Sequence, residues 1–275
     1  MGNRIHIRRL YRATWNVRPF QRRLTATRAS CGPKRDNFGD NGVVAHFPAE
    51  PFGYERPGEV PVRGFVHRAA SPSADAFVLT HGAGGNCTAP LLVALAEAFA
   101  ASGLNVLRCD LPFRQLRPHG PPSPAGAKRD QDGIRQAVTL MRQRFSGQVF
   151  VGGQSYGGRQ ASILAASEPQ LVEGLLLLSY PLHPPGRPAQ LRTAHFPNLR
   201  LPTLFVSGTK DAFGSVEELE SAIKLILAPT RLVPIEGAGH GLLTKLNREE
   251  LPKAIVKAFN AMFRAKKGND QAFRI

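Results

Sequence analysis

From residue 76 onward, strand-sized apolar runs alternate with helix-length stretches, and this alternation limits the folds open to the chain more than any other feature. "AFVLT" (76–80) precedes a helical stretch at about 89–101, with apolar Leu91, Leu92, Leu95, Ala98 and Phe99. "LNVLRC" (104–109) precedes a loop and a helix at about 127–144, where Ile134, Val138 and Met141 recur at i, i+4 and i+7. "QVFVG" (148–152), "GLLLLS" (174–179), "TLFVS" (203–207) and "RLVPI" (231–235) complete the strands, with helices expected at about 216–227 and 250–264. Strands apolar throughout, separated by helices, predict an α/β fold: a mostly parallel sheet covered on both faces. Upstream, "GVVAHF" (42–47) and "VPVRGFVHRA" (60–69) read as two further strands around a proline- and glycine-rich loop.

The 275 residues carry a net charge of +16, but residues 1–35 hold ten Lys or Arg and no acid, which leaves +6 to the other 240. The surplus is a property of a tail rather than of the folded body. The tail is Arg-rich and acid-poor like an organellar transit peptide, but a disordered extension or a start codon placed too far upstream is the favoured reading. It is expected to be dispensable for folding, giving three parts: a basic extension at 1–40, a domain at 41–265 and a tail at 266–275. No apolar run approaches the ~20 residues of a membrane helix. Cys31, Cys87 and Cys109 form no CxxC pair, which fits free thiols in a reducing compartment. A cytoplasmic location is expected, with import directed by the tail as the alternative. No Cys/His metal-ligand spacing occurs, so no structural zinc or other metal is expected.

"VGGQSYGGRQ" (151–160) places Ser155 where a buried strand meets a helix. A turn this tight strains the residue at its apex, and side chains at Gly153 and Gly157 would collide with strand and helix. The strain lifts the serine hydroxyl clear at the carboxyl edge of the sheet, where ligands of open α/β sheets bind. A serine needs a base to become a nucleophile, and the base needs a carboxylate to fix its tautomer. "LFVSGTKDAFG" supplies Asp211 and "LVPIEGAGHG" supplies His240, each just past a strand. Asp110 is the alternative acid. An oxyanion requires two backbone donors: Tyr156, directly after Ser155, and Ala83 in "LTHGAGGN" (79–86). His81 in that loop reads as a prop. The glycine loops match neither G-x-x-x-x-G-K-[ST] nor G-x-G-x-x-G.

"THGAGGN", "GGQSYGGRQAS", "LLLLSYPLHPPGRP", "FVSGTKDAFGS" and "GAGHG" resemble the α/β-hydrolase superfamily over roughly residues 42–265. The branch that they resemble includes bacterial dienelactone-hydrolase-like proteins and testis-expressed and NSL-complex-subunit-type hydrolase domains. The resemblance implies a cofactor-free mechanism with Ser155, His240 and Asp211 as triad and Ala83 and Tyr156 as oxyanion donors. Dienelactone hydrolases proper use a cysteine, so their substrate does not carry over. Cap domains in the superfamily follow the strand at 174–179, where only about 23 residues (180–202) intervene here, too few for a large lid. The expected activity is therefore that of a serine hydrolase taking a small carboxylic ester or thioester in an open pocket. Arg187, Arg192, His183 and His195 of the insert, and the wall "LPFRQLRPHGPP" (111–122), are candidates to meet an anionic substrate. The alternative is a non-catalytic subunit of a protein complex. Nucleic-acid binding through residues 1–35 ranks last, because the body lacks any recognition motif.

Overall fold

In the computed structural model, which describes residues 49–264, one eight-stranded sheet carries the fold. The strands are β1 (Ala49–Tyr54), β2 (Val62–His67), β3 (Ala76–Thr80), β4 (Asn105–Cys109), β5 (Val149–Gln154), β6 (Leu175–Leu178), β7 (Thr203–Gly208) and β8 (Thr230–Ile235). Their order is β1-β2-β4-β3-β5-β6-β7-β8. β1 and β2 pair antiparallel with each other and β2 pairs antiparallel with β4, while every other pairing is parallel. All residues of β3, β4, β6 and β7 are buried, as continuous apolar runs between two helical layers require. One difference from the sequence reading lies at the antiparallel edge. The stretch taken as a proline- and glycine-rich loop contains β1, whose register sets Pro51 opposite Phe65. An edge strand tolerates a proline because one side of its ladder has no partner to lose. The strand expected at 42–47, both tails and Cys31 lie outside the described residues.

Helices α1 (Pro90–Ala101), α3 (Ala127–Arg144), α4 (Tyr156–Ser167), α5 (Val216–Ile223) and α6 (Glu250–Phe259) cover the sheet, and α2 (Pro112–Leu116) is a single short turn in a segment read as loop. α1 and α6 share one face, where Phe259 packs edge-on against Phe99 and Phe150 with ring centroids 5.0 Å from each. α3 and α4 pack on the other, and the Ile134, Val138, Met141 stripe lies in that core beside Val78 and Val151. Each such side chain contributes about 1.5–3 kcal/mol on burial. The helix expected to reach residue 227 stops at Ile223. It starts on a capping box in which Ser215 Oγ accepts from Glu218 N–H and Glu218 accepts from Ser215 N–H. The helix expected to reach 264 changes to a π-helical turn, Asn260–Arg264. No helix among the described residues is long and apolar enough to cross a membrane.

The insert at 180–202 builds no lid. It folds back on the α4 side of the sheet, burying Tyr180, Leu182, Phe196 and Leu199 in the core, and its one helical turn is Phe196–Asn198. Tyr180 Oη donates to Arg192 O at 2.6 Å. Ser162 Oγ donates to Arg159 O at 2.9 Å, so the 2.8 Å contact with His195 requires His195 Nε2 to be the donor. Burial and the charge of Arg159 push the His195 pKa down to about 4, which keeps the ring neutral near pH 7.

Two outcomes follow from this packing. In the unfolded chain His195 titrates near its ordinary pKa of about 6.5, so between pH 6.5 and 4 the unfolded state binds the extra proton and stability falls as pH falls. Urea unfolding across that window should give a shallower pH slope for His195→Gln than for the wild type, and parallel slopes would contradict the assignment. The other concerns the turn from β5 into α4. A Cβ on Gly157 would lie 2.5 Å from His81 O and 2.6 Å from Thr80 Oγ1, whereas one on Gly53 meets nothing within 4 Å. Gly157→Ala should destabilise by about 1–3 kcal/mol in the same assay, against about 0.5 kcal/mol or less for Gly53→Ala.

Candidate active site

Ser155 links β5 to α4 with φ 49° and ψ −115°, a backbone state that a residue with a Cβ rarely occupies. The turn is held from both sides. Ser155 N–H donates to Leu178 O at 2.8 Å, and Ser155 O accepts from Arg159 N–H at 2.9 Å. A Cβ at Gly153 would strike Thr80 Oγ1 and the backbone of Gly158, so the glycines expected to be small are required to be so. The result is a hydroxyl projecting from the carboxyl end of β5, 2.8 Å from His240 Nε2.

The structure brings Asp211 and His240 to the same point. Both Asp211 oxygens lie 2.9 Å from His240 Nδ1, and Asp211 Oδ1 also accepts from Phe213 N–H at 2.9 Å. An ionised carboxylate can only accept, so Nδ1 carries the proton and Nε2 presents its lone pair to the Ser155 hydroxyl. The Asp211 side chain is 1% exposed and that of His240 28% exposed, which leaves the acid dry and the base within reach of the cleft. Their loops meet because Gly208 ends β7 without a side chain: a Cβ there would strike Ala238 O. Lys210 N–H donates to the same carbonyl at 2.9 Å. The Phe213 ring stacks on His240 with centroids 4.1 Å apart and 30° between planes.

Ala83 and Tyr156, the expected oxyanion donors, line the same cleft as Ser155. The Tyr156 N–H is the first of α4, where no carbonyl four residues back is available. Its side chain is anchored behind the cleft: Tyr156 Oη donates to Asp130 Oδ2 at 2.7 Å, and burial raises its pKa. The glycine loop is held by groups that the sequence reading did not identify. Buried Arg114 donates to Ala83 O at 2.7 Å, Gly85 O at 2.8 Å and Gly120 O at 3.1 Å. With Arg117 O at 3.3 Å, four carbonyls and no carboxylate satisfy this guanidinium, so no acid in the sequence could have marked it. His81 is the prop that it was read to be. Its Nε2 accepts from Leu111 N–H at 3.0 Å, so Nδ1 carries the proton and donates to Gly82 O at 2.8 Å. Burial lowers its pKa and keeps it neutral. Asp110, the alternative acid, accepts from Cys87 N–H at 2.7 Å and has no bond to His240. Burial pushes the free thiol of Cys87 up to about 12 and that of Cys109 up as well, which makes both poor nucleophiles.

The cleft above Ser155 has a volume of about 850 Å³ and is open to solvent. Pro121 and Pro122, the end of the segment anticipated as a wall, line one side together with Pro124 just beyond it, and Ile163 and Phe213 add apolar surface. Of the basic residues of the insert, His183, Arg187, Arg192, His195 and Arg200, Arg192 alone lines the cleft. His183 is tied to Pro184 O at 2.8 Å and Glu218 at 3.3 Å, and His195 to Ser162, while Arg187 is exposed. Among the described residues no three His, Cys, Asp or Glu are grouped to hold a metal ion.

Solved structures share this fold. A serine hydrolase homologue from Coxiella burnetii is 19% identical, with a TM-score of 0.61 over 76% of this chain and 96% of its own. Dienelactone hydrolase from Anabaena variabilis is 22% identical, with a TM-score of 0.61 over 78% and 98%. An α/β serine hydrolase without a lid from Xanthomonas campestris is 18% identical, with a TM-score of 0.61 over 80% and 98%. Among curated proteins, polyketide synthase ThaQ of Burkholderia thailandensis is 48% identical over 50 residues, which are 18% of this chain and only 2% of that protein. The alpha/beta hydrolase domain family model matches residues 73–265, from β3 through the end of the helical layer. The eight-stranded sheet, its two helical layers and that match make this chain a member of the alpha/beta hydrolase superfamily.

Proposed function

We propose that the protein is a serine hydrolase that cleaves a small carboxylic ester or thioester through an acyl-enzyme on Ser155. One observation carries the reading: an unbroken hydrogen-bond chain, Asp211 to His240 to Ser155, begins at a dry carboxylate and ends on a serine held in left-handed backbone geometry. His240 Nε2 takes the Ser155 proton as Oγ attacks the carbonyl carbon. The imidazolium that forms is stabilised by Asp211, which keeps its negative charge. The oxyanion would be received by the N–H groups of Ala83 and Tyr156, each such donor being worth roughly 2.7–4 kcal/mol in the transition state. Collapse of the tetrahedral intermediate releases the alcohol or thiol with the proton returned by His240. Water, deprotonated by the same nitrogen, then frees the acid. Arg114 and His81 act earlier, by keeping the 82–85 turn in the shape that this role needs. The absence of a lid over the described cleft favours short, soluble substrates, and the free buried thiols fit a cytoplasmic enzyme.

A fluorophosphonate probe should label the wild-type protein and leave Ser155→Ala unlabelled. Asp211→Asn should stay folded yet lose roughly 10³–10⁴-fold in kcat on a nitrophenyl ester, because an amide favours the wrong tautomer of His240. Labelling of Ser155→Ala, or an Asp211→Asn variant within a few-fold of wild type, would refute the assignment.

A further inference from the structure

The cleft holds two guanidinium groups that the hydrolytic chemistry does not use. Arg159 is the fourth residue of α4, and its N–H closes the first turn of the helix on Ser155 O at 2.9 Å. Arg192 reaches the same cleft from the 180–202 insert. Elsewhere Arg63, Arg68, Arg135, Arg142 and Arg264 each hold a carboxylate. Arg159 and Arg192 hold none among the described residues. Arg159 Nε is buried and makes no hydrogen bond. The Arg192 side chain has one long contact, 3.4 Å to Pro181 O. Gln160, wholly buried and also lining the cleft, accepts from Gln131 through Oε1 at 2.9 Å and leaves its Nε2 without a partner.

The nearby acid and histidine do not balance this charge. Both oxygens of Asp130 are engaged, by Phe113 N–H and Tyr156 O–H, and His195 is neutral. Burial and, after it, the charge of Arg159 lower the pKa of Arg192. Unpaired buried donors of this kind are costly to leave unmade. A carboxylate would satisfy them, because its two oxygens match the fork of a guanidinium.

We propose that Arg159, Arg192 and Gln160 form a subsite for a carboxylate on the substrate, so that the ester hydrolysed is one bearing a free acid, such as a hemi-ester of a short dicarboxylic acid. The inference rests on the hydrolase reading and narrows its substrate class. Because Arg159 lies within the first turn after Ser155, the linker between the scissile carbonyl and the acid is short, about three methylenes as in glutarate.

The test compares kcat/KM for mono-nitrophenyl glutarate with that for nitrophenyl valerate, which is close in shape and lacks the charge. The wild-type protein should favour the glutarate by about tenfold or more, with the preference shrinking as salt is added. In Arg159→Gln and in Arg192→Gln the ratio should fall toward unity, and Arg159→Lys should restore part of it. A wild-type ratio near or below one overturns the proposal whatever the variants do. A binding arm separates this from the hydrolase reading. The full chain carrying Ser155→Ala, followed by thermal shift, should be stabilised by monomethyl glutarate and not by methyl valerate. Turnover of both esters at equal rates sinks the subsite alone. Absence of turnover with selective binding of monomethyl glutarate sinks the hydrolase reading and leaves the subsite standing. Stabilisation by inorganic phosphate but not by monomethyl glutarate overturns the carboxylate assignment.

Discussion

The left-handed backbone of Ser155 is the constraint on which the rest of the site depends. A residue with a Cβ avoids this region, so the conformation persists only because its surroundings over-determine it. β5 is buried before it, α4 begins directly after it, and Gly153 and Gly157 let β3 and the helix close in to distances that no side chain permits. The same turn is followed directly by the first N–H of α4 and, at the fourth helical residue, by Arg159. The proposed nucleophile, one proposed oxyanion donor and one cation of the cleft thus issue from a single turn.

The other half of the site comes from two loops at the far side of the sheet. Asp211 follows β7 and His240 follows β8, strands paired in parallel through Gly208 opposite Ile235. Parallel strands deliver their carboxyl ends to one edge, which is why residues 56 and 85 positions from Ser155 can meet it. Gly208 matters as much as the glycines of the turn, because it lets Ala238 O receive Lys210 N–H and draws the acid loop to the histidine loop. The 180–202 insert contributes by what it packs against. With Tyr180 and Phe196 in the core, it leaves the hydroxyl open to solvent and offers Arg192 at the rim.

Much of this was legible from residue types alone. β3, α3 and β7 follow from unbroken apolar runs and a 3.6-residue stripe, the two patterns that buried strands and covering helices impose. Ser155, Asp211 and His240 were legible because their chemistry confines each to a loop after a strand, and the structure brings the three together. β1 was hidden because an exposed edge strand tolerates the proline and glycine that normally signal a loop. α2 has five residues, too few to display a period. Arg114 was invisible for a different reason: a buried arginine satisfied by backbone carbonyls leaves no complementary acid in the sequence. Arg192 could be noticed in the insert, but its relation to Arg159 is purely spatial. Nothing in the spacing of residues 159 and 192 indicates that they share a cleft.

The central claim is that Ser155 carries the acyl group during turnover, and trapping that species tests it most directly. Rapid mixing of the protein with excess nitrophenyl acetate, followed by acid quench, intact-mass measurement and peptide mapping, reports where the acyl group resides. The account predicts a protein heavier by one acetyl group, with the modification confined to the peptide containing Ser155 and nitrophenol released in a burst matching the protein concentration. Steady hydrolysis with no acylated protein at any quench time, or an acyl group that maps to a cysteine or histidine while Ser155 stays free, would contradict it.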